Sequence, residues 1–529
     1  MSIIIQHVSY IHPDRQTLFN NISFTVNKSQ KAALVGNNGS GKSTLLRIIA
    51  GRLEASAGEI MCSNTPYYVP QHFGQYNELT IAGALNISDK IKALHAILKG
   101  DATEDNFNYL NDDWDIEERA LAAMQAWGID YLSLWQSMDT LSGGEKTKVF
   151  LAGINIHSPE IILFDEPSNH LDKSSRKQLY NLIETSTATI LIVSHDRTLL
   201  NMLETTYELG KNGITQYGGN YDFYRQQRNE ALNAMQEQID EKNKKLRIAR
   251  KTAREVEERK QKQDARGQKK KEKEGTPRIM MKTLKDKAEG SSSKLKDKHA
   301  EKIESIADDL KEIREKMPDN NELKLNLGSP SLHKGKILAT AKTINFKYTE
   351  HNLWNDALDF QIISGDRVII SGNNGSGKST LLNVILGKLE PTEGCIDRAE
   401  FNYIYVDQEY SMIDNKLTVF EQVEQYNSRH LLEHELKTLL HRFLFPKETW
   451  DKTCDMLSGG EKMKLVFCCL MVSNKTPDVL ALDEPTNNLD IQSMDIITSA
   501  VRNYQGTILL ISHDQYFASD IGIGKHINL

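Results

Sequence analysis

Short apolar runs that end in glycine-rich or acidic residues occur twice along the chain and predict buried parallel strands. Glycine-rich segments directly follow Ala33–Val35 and Val368–Ile370. A pair of carboxylate residues directly follows each of Ile161–Phe164 and Val479–Leu482. Strands covered on both faces have continuous apolar runs of this kind, whereas half-exposed strands alternate. The pattern predicts an α/β fold whose functional residues follow the carboxyl ends of the strands.

A repeat organises the chain. The segment Gly36–Thr44 recurs as Gly372–Thr380 with the same nine residues. Such self-similarity indicates two copies of one domain in tandem, which we place at residues 1–228 and 335–529. Further pairs recur in the same order, namely Gln71 with Gln408, Ser142 with Ser458, Asp165 with Asp483, and His195 with His513.

The first copy is longer than the second. Between the glutamine and serine pairs the offset falls from 337 to 316, a difference of 21 residues. The polar stretch at 89–115 is the best place for these extra residues, and we expect an arm insertion there.

Residues 229–334 form a segment between the copies, and its apolar residues recur at steps of three and four. This spacing predicts two helices, the first from Tyr224 to Gln261, that bury their stripes against each other as an antiparallel coiled-coil hairpin. Gly275–Pro277 and Gly290–Ser293 break the pattern and predict a tip. The stripe residues are Leu232, Met235, Ile239, Leu246, Ala249, Ala253 and Val256 on the first helix, and Ile303, Ile306, Leu310, Ile313 and Met317 on the second.

Charge separates this linker from the two copies. The chain has a net charge of -7, but residues 229–300 hold 22 Lys or Arg against 13 Asp or Glu, a balance of +9. A basic segment of this length in an acidic protein favours a polyanionic partner.

Composition excludes several classes of protein. Hydrophobic residues make up 39% and charged residues 26%, as in globular proteins rather than disordered or fibrous ones. The apolar runs are too short to cross a bilayer, the first residues do not resemble a signal peptide, and the five cysteines have no zinc-site spacing. We therefore expect a cytoplasmic protein without a stable membrane partner.

The glycine-rich segments have the pattern of a phosphate-binding P-loop between a strand and a helix. Their backbone N–H groups and the helix N-terminus favour phosphate oxygens, the lysine reaches the β and γ phosphates, and the serine offers a hydroxyl to Mg²⁺. The predicted ATP-binding residues are Gly36, Asn37, Asn38, Gly39, Ser40, Gly41, Lys42, Ser43 and Thr44, and in the second copy Gly372, Asn373, Asn374, Gly375, Ser376, Gly377, Lys378, Ser379 and Thr380.

The carboxylate pairs and two histidines supply residues for hydrolysis. The first carboxylate of each pair suits a Mg²⁺ ion, and the second suits a general base that polarises the attacking water. Each histidine follows a strand-like run and is interpreted as a contact to the γ-phosphate. The residues are Asp165 and Asp483 for the ion, Glu166 and Glu484 for the base, and His195 and His513 for the phosphate.

Leu141–Glu145 and Leu457–Glu461 open predicted helices with the sequence Leu-Ser-Gly-Gly-Glu. Together with the P-loops, these segments resemble the signature of ATP-binding cassette ATPases, and Gln71, Gln408, Asp172 and Asp490 resemble the Q-loops and D-loops of that superfamily. The resemblance implies that both glutamines lie at the Mg²⁺ ion.

The same resemblance implies that the two cassettes of one monomer pair head to tail, so that each ATP lies between the P-loop of one and the signature of the other. One site would combine Lys42, Glu166 and His195 with Ser458, Gly459 and Gly460. The other would combine Lys378, Glu484 and His513 with Ser142, Gly143 and Gly144.

The aromatic residue that stacks on adenine is identified by the same resemblance as Tyr348 in the second copy. Alignment of the first copy places His12 at this position and Tyr10 two residues earlier. Both remain candidates.

Within the superfamily the chain is similar to the ABC-F family. The similarity rests on two cassettes in one chain, the arm, the charged linker, both Gly-Gly-Glu signatures and Tyr217–Tyr224 leading into the linker. It implies a translation factor that binds the ribosome near the tRNA exit site, with the linker against tRNA and ribosomal RNA. Alternatives are a ribosomal protection protein that confers antibiotic resistance and, from another class, the ATPase subunit of a transporter. The moderate tip favours a housekeeping role.

Overall fold

The computed structural model describes residues 2–273, 298–314 and 332–529, except 14, 102, 211, 212, 299, 349, 350, 374, 474, 475, 487 and 488. These residues form two compact units. One unit contains residues 1–221 and 322–529, and the other contains residues 222–321. The two cassettes therefore belong to one unit and the linker to the other. None of the described helices has the length and apolar content needed to cross a membrane.

The first cassette is an α/β structure that contains a small antiparallel sheet and a larger, mostly parallel sheet. Its elements are β1 (Ile3–Ile11), β2 (Thr17–Val26), β3 (Lys31–Val35), α1 (Lys42–Ile49), β4 (Ala57–Cys62), β5 (Tyr67–Val69), α2 (Ile81–Ala84), α3 (Ser88–Leu98), α4 (Glu104–Leu110), α5 (Ile116–Ala126), α6 (Gly143–His157), β6 (Ile161–Asp165), α7 (Lys173–Thr185), β7 (Thr189–Val193), α8 (Arg197–Asn201), β8 (Thr205–Gly210) and β9 (Gly213–Gly218).

The larger sheet of this cassette determines where its functional residues meet. Its strand order is β5-β6-β7-β3-β8-β9, with β9 antiparallel to its neighbour and the other pairs parallel. All residues of β6 and β7 are buried, as the apolar runs predict. Since parallel strands end at the same edge, the P-loop after β3, the carboxylates at the end of β6 and the histidine after β7 share that edge.

The linker unit contains a long helix, α9 (Tyr221–Lys273), and a second helix, α10, at residues 300–314. The 53 residues of α9 span about 80 Å. The helix ends twelve residues beyond the expected Gln261, because the added residues are mostly Lys, Glu, Gln, Ala and Arg, which favour helix.

Within this unit the predicted stripe residues Leu232, Ile239 and Leu310 are buried. Lys242 Nζ of α9 lies 2.5 Å from Asp309 Oδ2 of α10, so the two helices contact each other. This agrees with a helical hairpin. Met317 and the predicted tip at 275–293 lie outside the described residues.

The second cassette repeats the architecture with a five-stranded parallel sheet, β14-β15-β16-β12-β17, and an antiparallel sheet, β11-β10-β13. Its elements are β10 (Ile337–Asn345), β11 (Leu358–Ile363), β12 (Arg367–Ser371), α11 (Lys378–Ile385), β13 (Glu393–Arg398), β14 (Tyr403–Val406), α12 (Val419–Gln425), α13 (Glu433–Arg442), α14 (Gly459–Val472), β15 (Val479–Asp483), α15 (Ile491–Asn503), β16 (Thr507–Ile511), α16 (Gln515–Asp520) and β17 (Lys525–Asn528). The predicted tandem α/β cassettes are confirmed.

The stretch proposed as an arm is helical in the first cassette. Helices α3 and α4 occupy residues 88–110 and pack against each other, whereas the second cassette passes from α12 to α13 across seven residues. Lys90 Nζ forms an ion pair of 2.6 Å with Asp113 Oδ2, which ties α3 to the residues before α5.

Candidate active sites

Each P-loop ends in a glycine whose backbone no other residue adopts easily. Gly41 and Gly377 precede α1 and α11 with φ values of 95° and 87°. A Cβ atom on Gly41 would lie 2.8 Å from Phe19 Cδ1, which is too close. Neither helix has a side-chain cap at its N-terminus. Free N–H groups there are a ready binding site for an anion.

The P-loop lysines are held over their own loops. Lys42 Nζ donates to the carbonyl oxygens of Gly36 and Asn37 at 2.8 and 3.0 Å, and Lys378 Nζ makes the equivalent two bonds at 2.9 Å. Burial lowers the pKa of both ammonium groups, while nearby carboxylates oppose the shift. An anionic ligand would relieve this desolvation, so the loops fit a phosphate.

The serine after each P-loop lysine meets the aspartate at the end of the neighbouring strand. Ser43 Oγ donates to Asp165 Oδ1 at 2.9 Å, and Ser379 Oγ donates to Asp483 Oδ2 at 2.7 Å. Gln408 Nε2 lies 3.5 Å from Asp483 Oδ1. Hydroxyl, carboxylate and amide oxygens are the ligands that Mg²⁺ prefers, so these residues fit the ion.

Each of these groups also contains a tyrosine that the sequence motifs did not indicate. Tyr68 OH donates to Asp165 Oδ2 at 2.9 Å, and Tyr405 OH donates to Asp483 Oδ2 at 3.1 Å. Both residues lie on the strand that pairs with the aspartate's strand, β5 or β14. Their recurrence in the two copies was the available sequence signal.

The glutamates after the aspartates have an unusual backbone. Glu166 and Glu484 have φ values of 53° and 49°, in the left-handed region that residues other than glycine rarely adopt. The N–H groups of both residues still donate to the neighbouring strand, to Val193 O and Ile511 O at 2.8 Å. Strain at matching positions of both copies is typical of a functional site. Sequence reasoning did not predict it.

Each of these glutamates contacts the histidine that follows the next strand. His195 Nε2 lies 3.3 Å from Glu166 Oε1, and His513 Nε2 lies 3.4 Å from Glu484 Oε1. Burial raises the pKa of both glutamates, that of Glu484 to about 7, and lowers the pKa of both histidines, that of His513 to about 4. The imidazoles are therefore neutral near pH 7, and these contacts are not ion pairs.

A cavity of about 990 Å³ joins the P-loop side of the first cassette to the signature of the second. It brings Lys42, Glu166 and His195 together with Ser458 and Gly459, while Gly460 does not line it. Its other predicted residues are Asn38, Gly39, Gly41, Ser43, Thr44 and Gln71.

A second cavity, of about 650 Å³, has the reciprocal composition. It joins Lys378, Glu484 and His513 to Ser142, Gly143 and Gly144 of the first cassette. Gly375, Gly377, Ser379, Thr380, Gln408, Asp483 and Tyr348 also line it. Asn374 lies outside the described residues.

Several predicted residues lie next to the cavities rather than on their surfaces. Ser40 and Ser376 have buried hydroxyls with no hydrogen-bond partner among the described residues, and Asp165 is buried beneath Ser43. The P-loop residues that do not line these two cavities are Gly36, Asn37, Ser40, Gly372, Asn373 and Ser376.

The signature serines start helices α6 and α14, as predicted. In both, the serine and the glutamate three residues later form a capping box, in which Ser142 N donates to Glu145 Oε2 at 2.8 Å and Ser458 N donates to Glu461 Oε2 at 2.9 Å. This explains why glutamate suits the end of each signature.

Contacts between the cassettes include residues that the motifs left unassigned. Asn38 N in the first P-loop donates to Asp490 Oδ2 of the second cassette at 2.9 Å. Arg197, 5% exposed, donates from Nη1 to Asp520 Oδ2 at 2.9 Å and from Nη2 to Asp495 Oδ1 at 3.2 Å. The repeat places Gln515 at the position of Arg197, and this uncharged residue cannot form the matching ion pair in the reciprocal direction.

The structure distinguishes the two aromatic candidates of the first copy. His12 lines the first cavity, whereas Tyr10 packs against the hydrophobic core beside Phe19, with ring centroids 6.2 Å apart. In the second cavity, Tyr348 is 69% exposed and its OH lies 3.0 Å from Thr380 Oγ1.

Comparison with known families gives a direct match. Residues 19–169 and 355–487 match the family model described as ABC transporter. The chain is 29% identical to the probable ATP-binding protein YbiT of Escherichia coli O157:H7, over 95% of this chain and 92% of that protein. It is 28% identical to ABC transporter F family member 5 of Arabidopsis thaliana, over 96% of this chain and 72% of that protein.

Solved structures show the same fold. The crystal structure of a complex between the archaeal ribosomal stalk protein aP1 and the archaeal ribosome recycling factor aABCE1 matches 99% of this chain and 87% of that chain, with a TM-score of 0.61 and 19% identity. A structure of RNase-L Inhibitor matches with the same values. The chain therefore belongs to the ABC transporter family, as an ATPase of the ABC-F type with two cassettes in one polypeptide.

Proposed function

We propose that this chain hydrolyses ATP at its two composite cavities and uses the cycle to act on the ribosome as a translation factor. The observation that carries the proposal is the reciprocal composition of the cavities, since each combines a P-loop with the signature of the other cassette. Such a site is complete only when the cassettes are closed on each other. ATP binding and hydrolysis would therefore control their association within one monomer.

The charged groups of each site have distinct roles in this proposal. Lys42 and Lys378 bind the β and γ phosphates. A bound Mg²⁺ ion would offset phosphate charge. It would be held by Ser43, Asp165 and Gln71 in the first site and by Ser379, Asp483 and Gln408 in the second.

The glutamates act on water. One carboxylate oxygen of each, Glu166 Oε1 and Glu484 Oε2, is buried without a hydrogen-bond partner among the described residues. An oxygen in this condition can accept a proton from a water molecule beside the γ-phosphate. His195 and His513, being neutral, can donate one N–H to a phosphate oxygen.

The nucleotide base has a different partner in each site. Tyr348 is exposed beside the second P-loop and offers a ring face for stacking. His12 occupies the corresponding place in the first cavity. We assign adenine contact to these two residues and not to Tyr10.

The proposed ribosomal partner is supported by charge and by similarity. Residues 243–300 hold 21 basic and 9 acidic side chains, and such a segment is attracted to RNA phosphates. The chain has F family relatives, and its resemblance to the ABC-F family implies binding near the tRNA exit site. We place the basic linker against tRNA and ribosomal RNA, and the protein in the cytoplasm.

Sedimentation with ribosomes tests this partner. With a non-hydrolysable ATP analogue the protein should pellet with ribosomes of its own organism, and with ADP it should not. If about five RNA phosphates are contacted, affinity should fall by about 100-fold between 50 and 200 mM salt. Pelleting with membranes instead of ribosomes would favour the transporter subunit and contradict the proposal.

The ion pairs of Arg197 predict an effect on cassette closure. Arg197→Gln, which introduces the residue that the second copy has at this position, removes two partly exposed pairs. At about 0.2–1 kcal/mol each, their loss should raise the KM for ATP by about 2- to 30-fold, because ATP must then supply more of the closing free energy. Steady-state kinetics with Arg197→Lys as a charge-preserving comparison measures this. A KM equal to that of the parent would exclude the ion pairs from closure.

A further inference from the structure

The two cavities differ in permanent positive charge. Among the described residues that line the first cavity, Lys42 is the only lysine or arginine. The lining of the second cavity contains Lys378 and also Arg176. An arginine stays protonated at any pH at which the protein is folded, and its planar fork matches phosphate oxygens. The second site therefore has a cation that the first site lacks.

Arg176 comes from the opposite cassette. It lies in the first turn of α7, four residues after Asp172, and faces the P-loop lysine, glutamate and histidine of the second cassette across the cavity. Its Nε donates to Leu171 O at 3.1 Å, which holds the base of the guanidinium group. Among the described residues this is its only hydrogen bond, so the donors on Nη1 and Nη2 remain available for a ligand.

The repeat itself shows that the arrangement is one-sided. Asp490 corresponds to Asp172, so Met494 on α15 corresponds to Arg176. Met494 is 4% exposed, packs in the hydrophobic core of the second cassette and does not line the first cavity. The first site therefore receives no cation from this position.

The charge of Arg176 acts on the groups proposed to carry out hydrolysis. After burial, Arg176 is the largest cause of the lowered pKa of His513. This agrees with the position of the guanidinium group, which lines the cavity together with His513.

We propose that Arg176 is a catalytic residue of the second ATP site, supplied by the first cassette to the terminal phosphates of ATP. The inference rests on the proposed ATPase function of both cavities. In hydrolysis a water oxygen forms a bond to the γ-phosphorus while the bond from that phosphorus to the β–γ bridging oxygen breaks. The bridging oxygen leaves on ADP with the bonding electron pair, and the proton of the water passes to Glu484. Arg176 stabilises the negative charge on the γ-phosphate and the leaving oxygen.

The expected consequence is that the second site hydrolyses ATP faster than the first. Removing one preorganised donor to developing charge typically lowers kcat by about 10²- to 10³-fold. Glu166→Gln leaves only the second site active, and Glu484→Gln leaves only the first, so each site can be measured alone. Arg176→Met in the Glu166→Gln background should lower kcat by about 10²-fold or more and change the KM much less.

The test compares the loss of kcat that Arg176→Met causes in the two backgrounds. In the Glu484→Gln background, this loss should be smaller by about 100-fold. Arg176→Lys should recover part of the second-site kcat, and Lys177→Met, an exposed charge on the same helix, is the matched control. Affinity for ADP with aluminium fluoride, a transition-state analogue, should fall with kcat, and affinity for ATP should fall less.

Equal losses in both backgrounds, or equal losses of affinity for ATP and for the analogue, would show that Arg176 only supports the fold of α7. No loss in the Glu166→Gln background would remove Arg176 from the site. These outcomes differ from failure of the proposed function, which would appear as parental ATP turnover in the double variant that lacks both glutamates.

Discussion

Replacing Glu166 and Glu484 by glutamine together is expected to lower ATP turnover by about 10²- to 10⁴-fold, the usual contribution of a general base. The amide keeps the length of each side chain but cannot accept the proton of the attacking water. Glutamine is also preferable to a shorter residue, because it is the smallest change at two positions whose left-handed backbone few residue types adopt. ATP should still bind, since the P-loops and signatures are unchanged.

Three measurements check this expectation. Steady-state phosphate release gives turnover, binding of a fluorescent ATP analogue gives affinity, and ribosome pelleting in ATP reports whether the closed form accumulates. Production of the double variant in cells should arrest protein synthesis, because the closed form cannot reset. Glu118→Gln, an exposed position on α5, is a matched control. Unchanged turnover in the double variant would remove both glutamates from catalysis.

Shortening the linker is expected to separate basal from ribosome-dependent activity. Replacing Gly267–Ser293 by a short Gly-Ser turn removes eight basic residues but leaves the predicted stripes in place. The compact unit that contains both cavities does not include residues 222–321. Basal ATP turnover should therefore stay within about twofold of the parent, while stimulation by ribosomes and binding at moderate salt should be lost.

A second variant distinguishes charge from length. Changing Lys269, Lys270, Lys271 and Lys273 to glutamine keeps the full linker and removes four charges. If electrostatics guide docking, this variant should lose salt-sensitive ribosome binding in part. A shortened protein that supports translation, or protects ribosomes, as well as the parent would show that the tip is a passive connector.

Features that depend on a few consecutive residues were predictable. A P-loop needs glycines, a lysine and a serine at fixed spacing, because one turn of backbone surrounds the phosphate. The apolar runs at Ile161–Phe164 and Val479–Leu482 were sufficient to predict buried strands, and the structure has β6 and β15 there. The repeat predicted two cassettes, which the family match confirms.

Some local features of the structure had no signal in the sequence. The left-handed backbone of Glu166 and Glu484 arises where a strand ends while its next N–H still bonds to the neighbouring strand. Side-chain type does not encode that requirement, because glutamate is not favoured in this conformation. The different positions of His12, which lines the first cavity, and Tyr10, which packs against the core, likewise had no signal in the sequence.

The sequence by itself determined the chemistry of each half-site, because P-loop, carboxylate pair and histidine follow strands whose apolar pattern is local. The resemblance to ATP-binding cassette ATPases implied which half-sites meet, and only the tertiary structure decided which additional residues join them. Arg197 and Asp490 form hydrogen bonds with groups 298 or more positions away in the chain, and Arg176 lines a cavity together with the P-loop of the other cassette. No spacing predicts such contacts, since they depend on how the cassette surfaces pack. For that reason two copies with nearly the same motifs form cavities of different charge.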